Sequence, residues 1–276
     1  MLMDMEQFKK VRDLINSKSG IFLEDKKMYF LEKRIEDRMK EMDVDNIDEY
    51  INYLKFYDNG TEIHKLIEKI TINETYFFRE FEQLQTFAEE CLPEVERFKN
   101  RIRDRNIRVW SAGCSTGEEP YTIGIILHEM LENPDLWNIY ILAIDINGKV
   151  LEVAKKGVYD ERVLKHVAKP YVEKYFDRIN YNVFKVKDFI KEKIEFVQSN
   201  ILEMDKKLED DFFDFIFCRN VLIYFDDNSR KKALDIFYKK LKSKGFILLG
   251  HSESVGRITD KFNYRKMQNY YVYQKP

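Results

Sequence analysis

Two acidic residues directly after a glycine-rich turn are the part of this sequence best suited to chemistry. Gly113 and Gly117 frame the turn, and Glu118 and Glu119 follow it. A glycine turn that leads into a helix N-terminus commonly binds a pyrophosphate, because the helix end favours negative charge. Two carboxylates at this position would repel a pyrophosphate and attract a cationic ligand.

Asp145 is a third acid at a position suited to nucleotide binding. It lies near the end of the apolar run YILAIDI, residues 140–146, which is typical of a buried strand. In nucleotide-binding α/β folds, an acid at the tip of the second strand accepts hydrogen bonds from the ribose hydroxyls. S-adenosylmethionine carries two positive groups against one carboxylate and no phosphate. The pattern therefore favours it over NAD, although simple helix capping by Glu118 and Glu119 stays open.

The elements around these acids predict a doubly wound α/β sheet. Residues 107–112 read as a buried strand and residues 118–131 as a helix, with Pro120 in its first turn. Residues 148–156 read as the second helix, with Gly157 at its C-terminus, and residues 270–273 as the strand that closes the sheet. Polar residues also follow later apolar runs, at the strand ends where such sheets bind ligands. These polar residues are Asn200, Arg219, Asn220 and the segment 251–254.

Composition narrows the class of protein. With 276 residues, 44% hydrophobic and 35% charged, the chain is typical of a soluble globular protein. No apolar run approaches the ~20 residues of a membrane span, and the N-terminus has no signal-peptide pattern. A net charge of −2 argues against a nucleic-acid partner. Three scattered cysteines predict a reducing cytoplasm, and four dispersed histidines offer no metal-ligand spacing.

The order of patterns divides the chain into three parts. Residues 1–70 carry only helical periodicities and predict a small helical domain. Residues 71–98 read as a linker followed by a helix, and residues 99–276 as the α/β domain. Within that domain, residues 158–193 break the alternation of strands and helices and predict an inserted β-subdomain.

The linker mixes polar and bulky aromatic side chains. Asn73, Thr75 and Arg79 lie beside the aromatic residues of 77–81, which we expect to begin the helix. Arg79 could pair with Glu82, three residues further along one helix face. Its aromatic neighbours favour the wall of a pocket instead.

The second predicted helix carries three basic residues to one side of its apolar stripe. Lys27, Arg34 and Arg38 fall together at ~100° per residue. They form either a solvated face or a contact surface for an acidic partner.

Five ordered motifs in this sequence resemble those of the chemotaxis receptor methyltransferases, the CheR family. The motifs are NETYFFRE at 73–80, RVWSAGCSTGEEPYTIG at 108–124, AIDI at 143–146, CRNVLIYF at 218–225 and GHSES at 250–254. The resemblance covers nearly the whole chain. It implies an enzyme that methylates glutamate side chains of chemoreceptors with S-adenosylmethionine and releases S-adenosylhomocysteine. The implied fold is a Rossmann-like methyltransferase domain with an inserted small β-subdomain, preceded by an all-helical N-terminal domain.

The resemblance also implies roles for individual residues. The implied cofactor-binding residues are Asn73, Thr75, Arg79, Ala112, Glu118, Asp145, Asn200, Ile201, Arg219 and Asn220. Ala112 and Glu118 would line the methionine end, and Asn200 and Ile201 would flank the adenine. Arg79 and Tyr224 would lie beside the methyl group as the catalytic pair.

One segment departs from the family pattern. Family members that dock on a receptor pentapeptide have a longer, glycine-containing loop in the inserted hairpin, whereas residues 177–182 read DRINYN. We therefore expect receptor recognition to depend on the N-terminal helices, through Lys27, Arg34 and Arg38.

Two other functions are compatible with the same fold. Amino-methyltransferases of nucleic acids commonly carry a proline pair after the fourth strand, where this chain has Asn220-Val221-Leu222. A domain that binds S-adenosylmethionine as a sensor or scaffold, without turnover, stays open. We expect a cytoplasmic protein with no nucleic-acid partner, no metal and no direct membrane insertion, and take a monomer as the default.

Overall fold

Two compact units make up the chain, in a computed structural model that describes residues 3–256, 258–268 and 270–276. The first unit comprises the residues up to Ile72 together with Tyr224–Arg230. The second comprises Asn73–Ile223 and the residues from Lys231 onward. None of the described helices is long and apolar enough to cross a membrane.

The first unit is helical, as expected. Its α-helices among the described residues are α1 Met5–Ser19, α2 Met28–Glu41, α3 Ile47–Phe56 and α4 Thr61–Ile70. Local sequence sets where they begin. Asp4 and Gln7 form a reciprocal capping box at the start of α1. The side chain of Asn46 accepts a hydrogen bond from Asp48 N at 2.8 Å and so caps α3, as its position in the sequence predicts.

Arg38 lies inside this unit, and its assignment to an exposed basic face is wrong. Only 4% of Arg38 is exposed. Its Nε and Nη2 donate to the two carboxylate oxygens of Glu62 on α4, at 2.8 and 2.6 Å. Tyr50 Oη donates to the same carboxylate at 2.8 Å, and Glu41 also pairs with Arg38. The hydrogen bonds to Glu62 raise the pKa of the guanidinium.

Helix packing explains why the sequence pattern predicted an exposed Arg38. The angle around α2 does place Arg38 beside Lys27 and Arg34, but α4 packs against α2 on that side. Glu62 supplies a buried carboxylate there, which lets a charged group enter the interior. Arg34 is half-buried and donates to the carbonyl of Lys69 at 3.0 Å, whereas Lys27 is exposed.

The second unit is organised around a mixed sheet. Its strands run in the order β6-β2-β1-β7-β8-β10-β9 among the described residues. Their bounds are β1 Asn106–Ala112, β2 Asn138–Asp145, β6 Ile194–Gln198, β7 Phe213–Cys218, β8 Leu241–Leu249, β9 Asn263–Lys266 and β10 Tyr271–Gln274. The pairs from β6 to β8 are parallel, and the β8–β10 and β10–β9 pairs are antiparallel. This is the expected Rossmann-like arrangement.

The sheet edge beside β10 differs from the prediction. Residues 270–273 were expected to close the sheet, but β9 lies outside β10. The β9 sequence NYRK lacks the apolar alternation that marks a strand, so its pattern gave no signal.

Helices alternate with these strands in the expected strand–helix order. They are α5 Phe81–Thr86, α6 Leu92–Ile102, α7 Glu118–Met130, α8 Gly148–Lys156, α9 Lys169–Tyr175, α10 Asp188–Lys191 and α11 Asp227–Lys240. The bounds of α8 agree with the sequence prediction, and Gly157 ends it in the left-handed conformation at φ 63°. A core cluster joins α6 and α7 to the sheet, with Phe87 edge-on against the rings of Phe215 and Phe217 at 5.0 Å.

The inserted β-subdomain is a small antiparallel sheet in the order β3-β5-β4. Its strands are β3 Val158–Asp160, β4 Phe176–Asn180 and β5 Val183–Val186. Because the first four residues of DRINYN belong to β4, only Tyr181 and Asn182 connect the hairpin. The hairpin loop of this subdomain is therefore short.

Removal of the Arg38 guanidinium should destabilise the protein. Arg38→Met should lower the free energy of unfolding by ~3 kcal/mol or more, because Glu62 would remain buried without its cation. Urea unfolding of the full chain, followed by circular dichroism, measures this change. Lys27→Met is the matched control at an exposed position and should change the free energy by less than ~0.5 kcal/mol. An Arg38→Met variant as stable as the wild type would contradict the buried ion pair.

Candidate functional site

The glycine turn after β1 brings main-chain groups close to the end of β2. Gly113 and Gly117 have φ of 88° and 96°, in the left-handed region that favours glycine. The N–H groups of Gly113 and Cys114 both donate to the carbonyl of Ile144 at 2.9 Å. A Cβ on Gly117 would lie 2.8 Å from Cβ of Ala154, so α8 also approaches this turn. The turn therefore holds the start of α7 beside the tip of β2.

Asp145 lies at that tip and binds the turn directly. Its Oδ2 accepts a hydrogen bond from Ser115 N at 2.8 Å, and its Oδ1 accepts one from Asn147 N at 2.9 Å. The residue is 8% exposed, and burial raises the pKa of its carboxyl group. Each carboxylate oxygen can accept a second hydrogen bond, so Asp145 keeps acceptor capacity for ribose hydroxyls.

The two glutamates after the turn have different partners. Glu118 is 3% exposed and accepts a hydrogen bond from Thr116 Oγ1 at 2.7 Å. Glu119 accepts one from Ser111 Oγ at 2.7 Å and one from Arg219 Nη1 at 3.2 Å. Burial raises the pKa of both carboxyl groups, and Arg219 opposes that rise at Glu119. Glu119 is therefore engaged within the protein, whereas Glu118 keeps open acceptor positions.

Arg219, directly after β7, joins three segments of the second unit. It is 7% exposed and pairs with Glu119 at the start of α7. Its Nη2 donates to the carbonyl of Arg79 and lies 3.5 Å from Glu80 Oε2. Sequence reasoning missed this pairing, because a carboxylate 100 residues away gives no local signal. Direct contact of Arg219 with a cofactor stays a prediction.

The linker is irregular where a helix was expected to begin, at residues 77–80. α5 begins only at Phe81, and Phe78 and Glu80 have φ of 58° and 54°. The alternative that Arg79 pairs with Glu82 on one helix face is therefore excluded, because Arg79 precedes the helix. The carbonyl of Arg79 is bound by Arg219, which fixes it outside the helix.

The Arg79 side chain has no carboxylate partner among the described residues. Its Nη1 donates to the carbonyl of Glu74 at 2.8 Å, and the guanidinium lies 6.0 Å from the ring centre of Tyr76. Asn73 approaches the glycine turn, because its carbonyl accepts a hydrogen bond from Ser115 Oγ at 2.9 Å. The main chain of the linker therefore reaches the glycine turn at Asn73 and Arg219 at Arg79.

The remaining candidate residues follow other strands. Ala112 is the last residue of β1 and is fully buried. Asn200 follows β6 beside Asp145, whose carbonyl accepts a hydrogen bond from Ser199 N at 3.0 Å. The Asn200 side chain caps the short helical segment that begins with Ile201, itself 6% exposed.

Asn220 and Tyr224 follow β7. Asn220 has φ of 60°, and its Oδ1 is buried without a hydrogen-bond partner among the described residues. Tyr224 belongs to the first unit, where its carbonyl accepts a hydrogen bond from Phe22 N at 2.8 Å.

Comparison with known proteins identifies the family of this chain. Residues 6–71 match the family "CheR methyltransferase, all-alpha domain", and residues 73–271 match "CheR methyltransferase, SAM binding domain". "Chemotaxis protein methyltransferase 2" of Vibrio cholerae is 37% identical over 98% of this chain and 92% of that protein. "Chemotaxis protein methyltransferase" of Borreliella burgdorferi is 35% identical over 91% of this chain and 88% of that protein.

A more distant similarity is found among solved structures. The N-methyltransferase NodS from Bradyrhizobium japonicum, in complex with S-adenosyl-L-homocysteine, is 13% identical at a TM-score of 0.38, covering 70% of this chain and 91% of that one.

The buried acids, the glycine turn and the unpartnered Asn220 Oδ1 fit a ligand with both cationic groups and hydroxyls. On the two domain matches and the near full-length relatives, the chain belongs to the CheR methyltransferase family, and its second unit is an S-adenosylmethionine-binding methyltransferase domain.

Proposed function

We propose that this protein transfers a methyl group from S-adenosylmethionine to glutamate side-chain carboxylates of chemoreceptors, forming methyl esters in sensory adaptation. The names of the relatives support a role in chemotaxis. The observation that carries the choice of a carboxylate substrate is Arg79. Its guanidinium has no carboxylate partner among the described residues, although Arg219 and Glu119 fix the backbone beside it. A guanidinium whose charge no described carboxylate neutralises suits an anionic acceptor.

The substrate carboxylate needs no general base. A glutamate side chain has a reference pKa of ~4.3 and is already ionised near neutral pH. When bound, S-adenosylmethionine supplies a methyl group on a sulfonium, which a carboxylate oxygen displaces in one in-line step. The protein then contributes orientation and exclusion of water, and orientation alone can supply several kcal/mol. A very strong contact to the carboxylate would stabilise the ground state and slow the reaction.

The residues around the turn have distinct proposed roles. Asp145 accepts hydrogen bonds from the ribose, and Glu118 faces the cationic methionine end beside Ala112. Asn200 and Ile201 flank the adenine. Asn73, Thr75, Arg219 and Asn220 complete the cofactor site. Arg79 orients a carboxylate.

Tyr224 is proposed as a hydrogen-bond donor at the reacting end. This role follows from the motif CRNVLIYF at 218–225. We propose that the protein works in the cytoplasm, where the receptor domains with the target glutamates lie.

The receptor-binding face proposed from the sequence changes once Arg38 is removed from it. Lys27 remains exposed, and Lys26, Lys33 and Lys40 are exposed as well. The last three are spaced by seven residues, which places them along one side of α2 and its preceding turn. Lys33 lies 5.3 Å from the ring centre of Tyr29, and Lys26 pairs with Glu24. We propose this lysine row as the surface that meets acidic receptor helices.

Loss of the Asp145 carboxylate should weaken cofactor binding. Asp145→Ala should reduce the affinity for S-adenosylhomocysteine by roughly 1–3 kcal/mol, because a charged acceptor is lost. Calorimetry measures the affinity, and thermal unfolding without ligand reports the loss of the bonds to Ser115 and Asn147. Asp160→Ala, at the surface of the inserted subdomain, is the control. A folded Asp145→Ala protein with wild-type affinity would remove Asp145 from the site.

Arg79→Ala should reduce turnover far more than stability. If Arg79 orients the substrate carboxylate, methylation of a receptor fragment should fall by orders of magnitude, while the free energy of unfolding changes by ~0–1 kcal/mol. Transfer of labelled methyl groups measures the rate. Arg101→Ala, at an exposed arginine of α6, should retain the wild-type rate. Normal turnover by Arg79→Ala would refute its catalytic role, and no turnover by the wild type would favour the sensor alternative.

Charge reversal along the lysine row should impair receptor methylation. The triple variant Lys26/Lys33/Lys40→Glu should bind cofactor normally but show a lower kcat/KM for receptor, with weaker salt dependence. Charge contacts of this kind mainly raise the association rate and are screened within a Debye length of ~8 Å. The triple variant Lys9/Lys18/Lys55→Glu changes the net charge equally at other exposed positions and should behave like the wild type. Equal effects of the two triple variants would contradict this docking face.

A further inference from the structure

Glu253, in the loop after β8, binds main-chain N–H groups from two segments. Its Oε2 accepts hydrogen bonds from Gly250 N at 2.7 Å and Asn220 N at 2.8 Å. Its Oε1 accepts hydrogen bonds from Val221 N at 2.9 Å and Ile223 N at 3.3 Å. A carboxylate offers about four acceptor positions, so these main-chain N–H groups occupy all the acceptor positions of Glu253. Glu253 therefore has no capacity left for a ligand or substrate.

Gly250 makes this arrangement possible because the two loops are in close approach. A Cβ at Gly250 would lie 2.8 Å from Asn220 N and 2.8 Å from Glu253 Oε2. Both atoms belong to the hydrogen bond that joins the loops. The glycine and the glutamate of GHSES thus serve the same contact between the loop after β8 and the loop after β7.

The carboxylate of Glu253 and the loop after β7 support each other. Asn220 has φ of 60°, in the left-handed region, which asparagine adopts more readily than most residues with a side chain. Burial raises the pKa of Glu253, whereas the main-chain N–H groups of the loop lower it. These donors compensate for taking the carboxylate out of water. The loop conformation and the buried charge therefore stabilise each other.

Two proposed cofactor-binding residues depend on this loop. Arg219 precedes the bound N–H groups and reaches Glu119 and the carbonyl of Arg79. Asn220 carries the buried Oδ1 that has no partner among the described residues. A shift of the backbone at Asn220 would move both side chains together.

We propose that Glu253 is a positioning residue of this methyltransferase: it holds the loop after β7 in the conformation in which Arg219 and Asn220 meet the cofactor. This inference rests on the proposed function only in placing Arg219 and Asn220 at the cofactor. Glu253 acts through the backbone and touches no reacting atom.

A general stabilising role is the competing explanation, and Asp214 provides the comparison. Asp214 lies at the other end of β7, is 3% exposed, and accepts a hydrogen bond from Arg108 N at 2.8 Å. It also pairs with Lys99 Nζ at 2.8 Å. Both residues are therefore carboxylates of the second unit that bind main-chain N–H groups, but only Glu253 binds the loop that carries Arg219 and Asn220.

The first experiment compares Glu253→Gln with Asp214→Asn in the full chain. Glu253→Gln replaces one carboxylate oxygen by an NH₂ group, so two of the four N–H groups lose their acceptor. Calorimetry with S-adenosylhomocysteine should show a dissociation constant raised roughly ten- to hundredfold in Glu253→Gln and unchanged within about threefold in Asp214→Asn. Both variants should unfold at a lower temperature. Wild-type affinity in a folded Glu253→Gln protein, or equal losses in both variants, would overturn the proposal.

A double variant tests whether Glu253 acts through Asn220. If it does, adding Glu253→Gln to Asn220→Ala should weaken binding much less than the product of the two separate losses, because coupled residues are not additive. Independent residues would give the full product, and that result would contradict a positioning role.

Hydrogen exchange on the wild-type protein keeps the proposal testable if Glu253→Gln fails to fold. The amides of Asn220 and Val221 should exchange slowly although they lie in a loop, and rapid exchange at both would overturn the proposal. These readouts are independent of the methylated substrate. Wild-type protein that binds S-adenosylhomocysteine but methylates no receptor would refute receptor methylation and leave the role of Glu253 standing.

Discussion

The buried guanidinium of Arg219 is the constraint on which the site depends. A buried charge is costly unless it is paired and hydrogen-bonded, so Arg219 must have acceptors around it. Glu119 at the start of α7 and the carbonyl of Arg79 accept hydrogen bonds from it, and Glu80 adds a negative charge 3.5 Å away. Segments that are 100 and 140 residues apart in sequence are therefore fixed against one another. The left-handed backbone at Glu80 persists because this network holds both sides of it.

Local sequence was sufficient where neighbouring residues determine the structure. The glycine turn, Asp145 at the tip of β2 and the bounds of α8 follow from short patterns. Local sequence was insufficient where a residue distant in the chain determines the structure. Arg38 can be buried because Glu62 on another helix pairs with it. The carbonyl of Arg79 accepts a hydrogen bond from Arg219 and lies outside any helix. The periodicity of one segment carries no information about which charge will face it after folding. β9 was missed for a different reason, because an edge strand with polar residues lacks alternation.

Three buried acids at the carboxyl ends of the strands also explain the preference for a cationic ligand. Burial raises the pKa of Asp145, Glu118 and Glu119, because removal from water disfavours the charged form of each carboxyl group. Arg219 compensates Glu119 in part. A ligand with an ammonium group and hydroxyls would compensate the other two, so binding and ionisation favour each other. The negative charges of the same acids would repel a pyrophosphate.

The number of occupied acceptor positions separates the acids of this unit into two kinds. Glu253 accepts four main-chain hydrogen bonds and can only hold the backbone. Among the described residues, Asp145 accepts a hydrogen bond from Ser115 N on one oxygen and from Asn147 N on the other, and Glu118 accepts one from the hydroxyl group of Thr116. Residue type does not distinguish them, and each lies at or after the carboxyl end of a strand of the same sheet. They differ in how many hydrogen bonds each carboxylate can still accept. A carboxylate whose acceptor positions are all occupied by the protein can position other residues, whereas a carboxylate with unoccupied positions can bind a ligand.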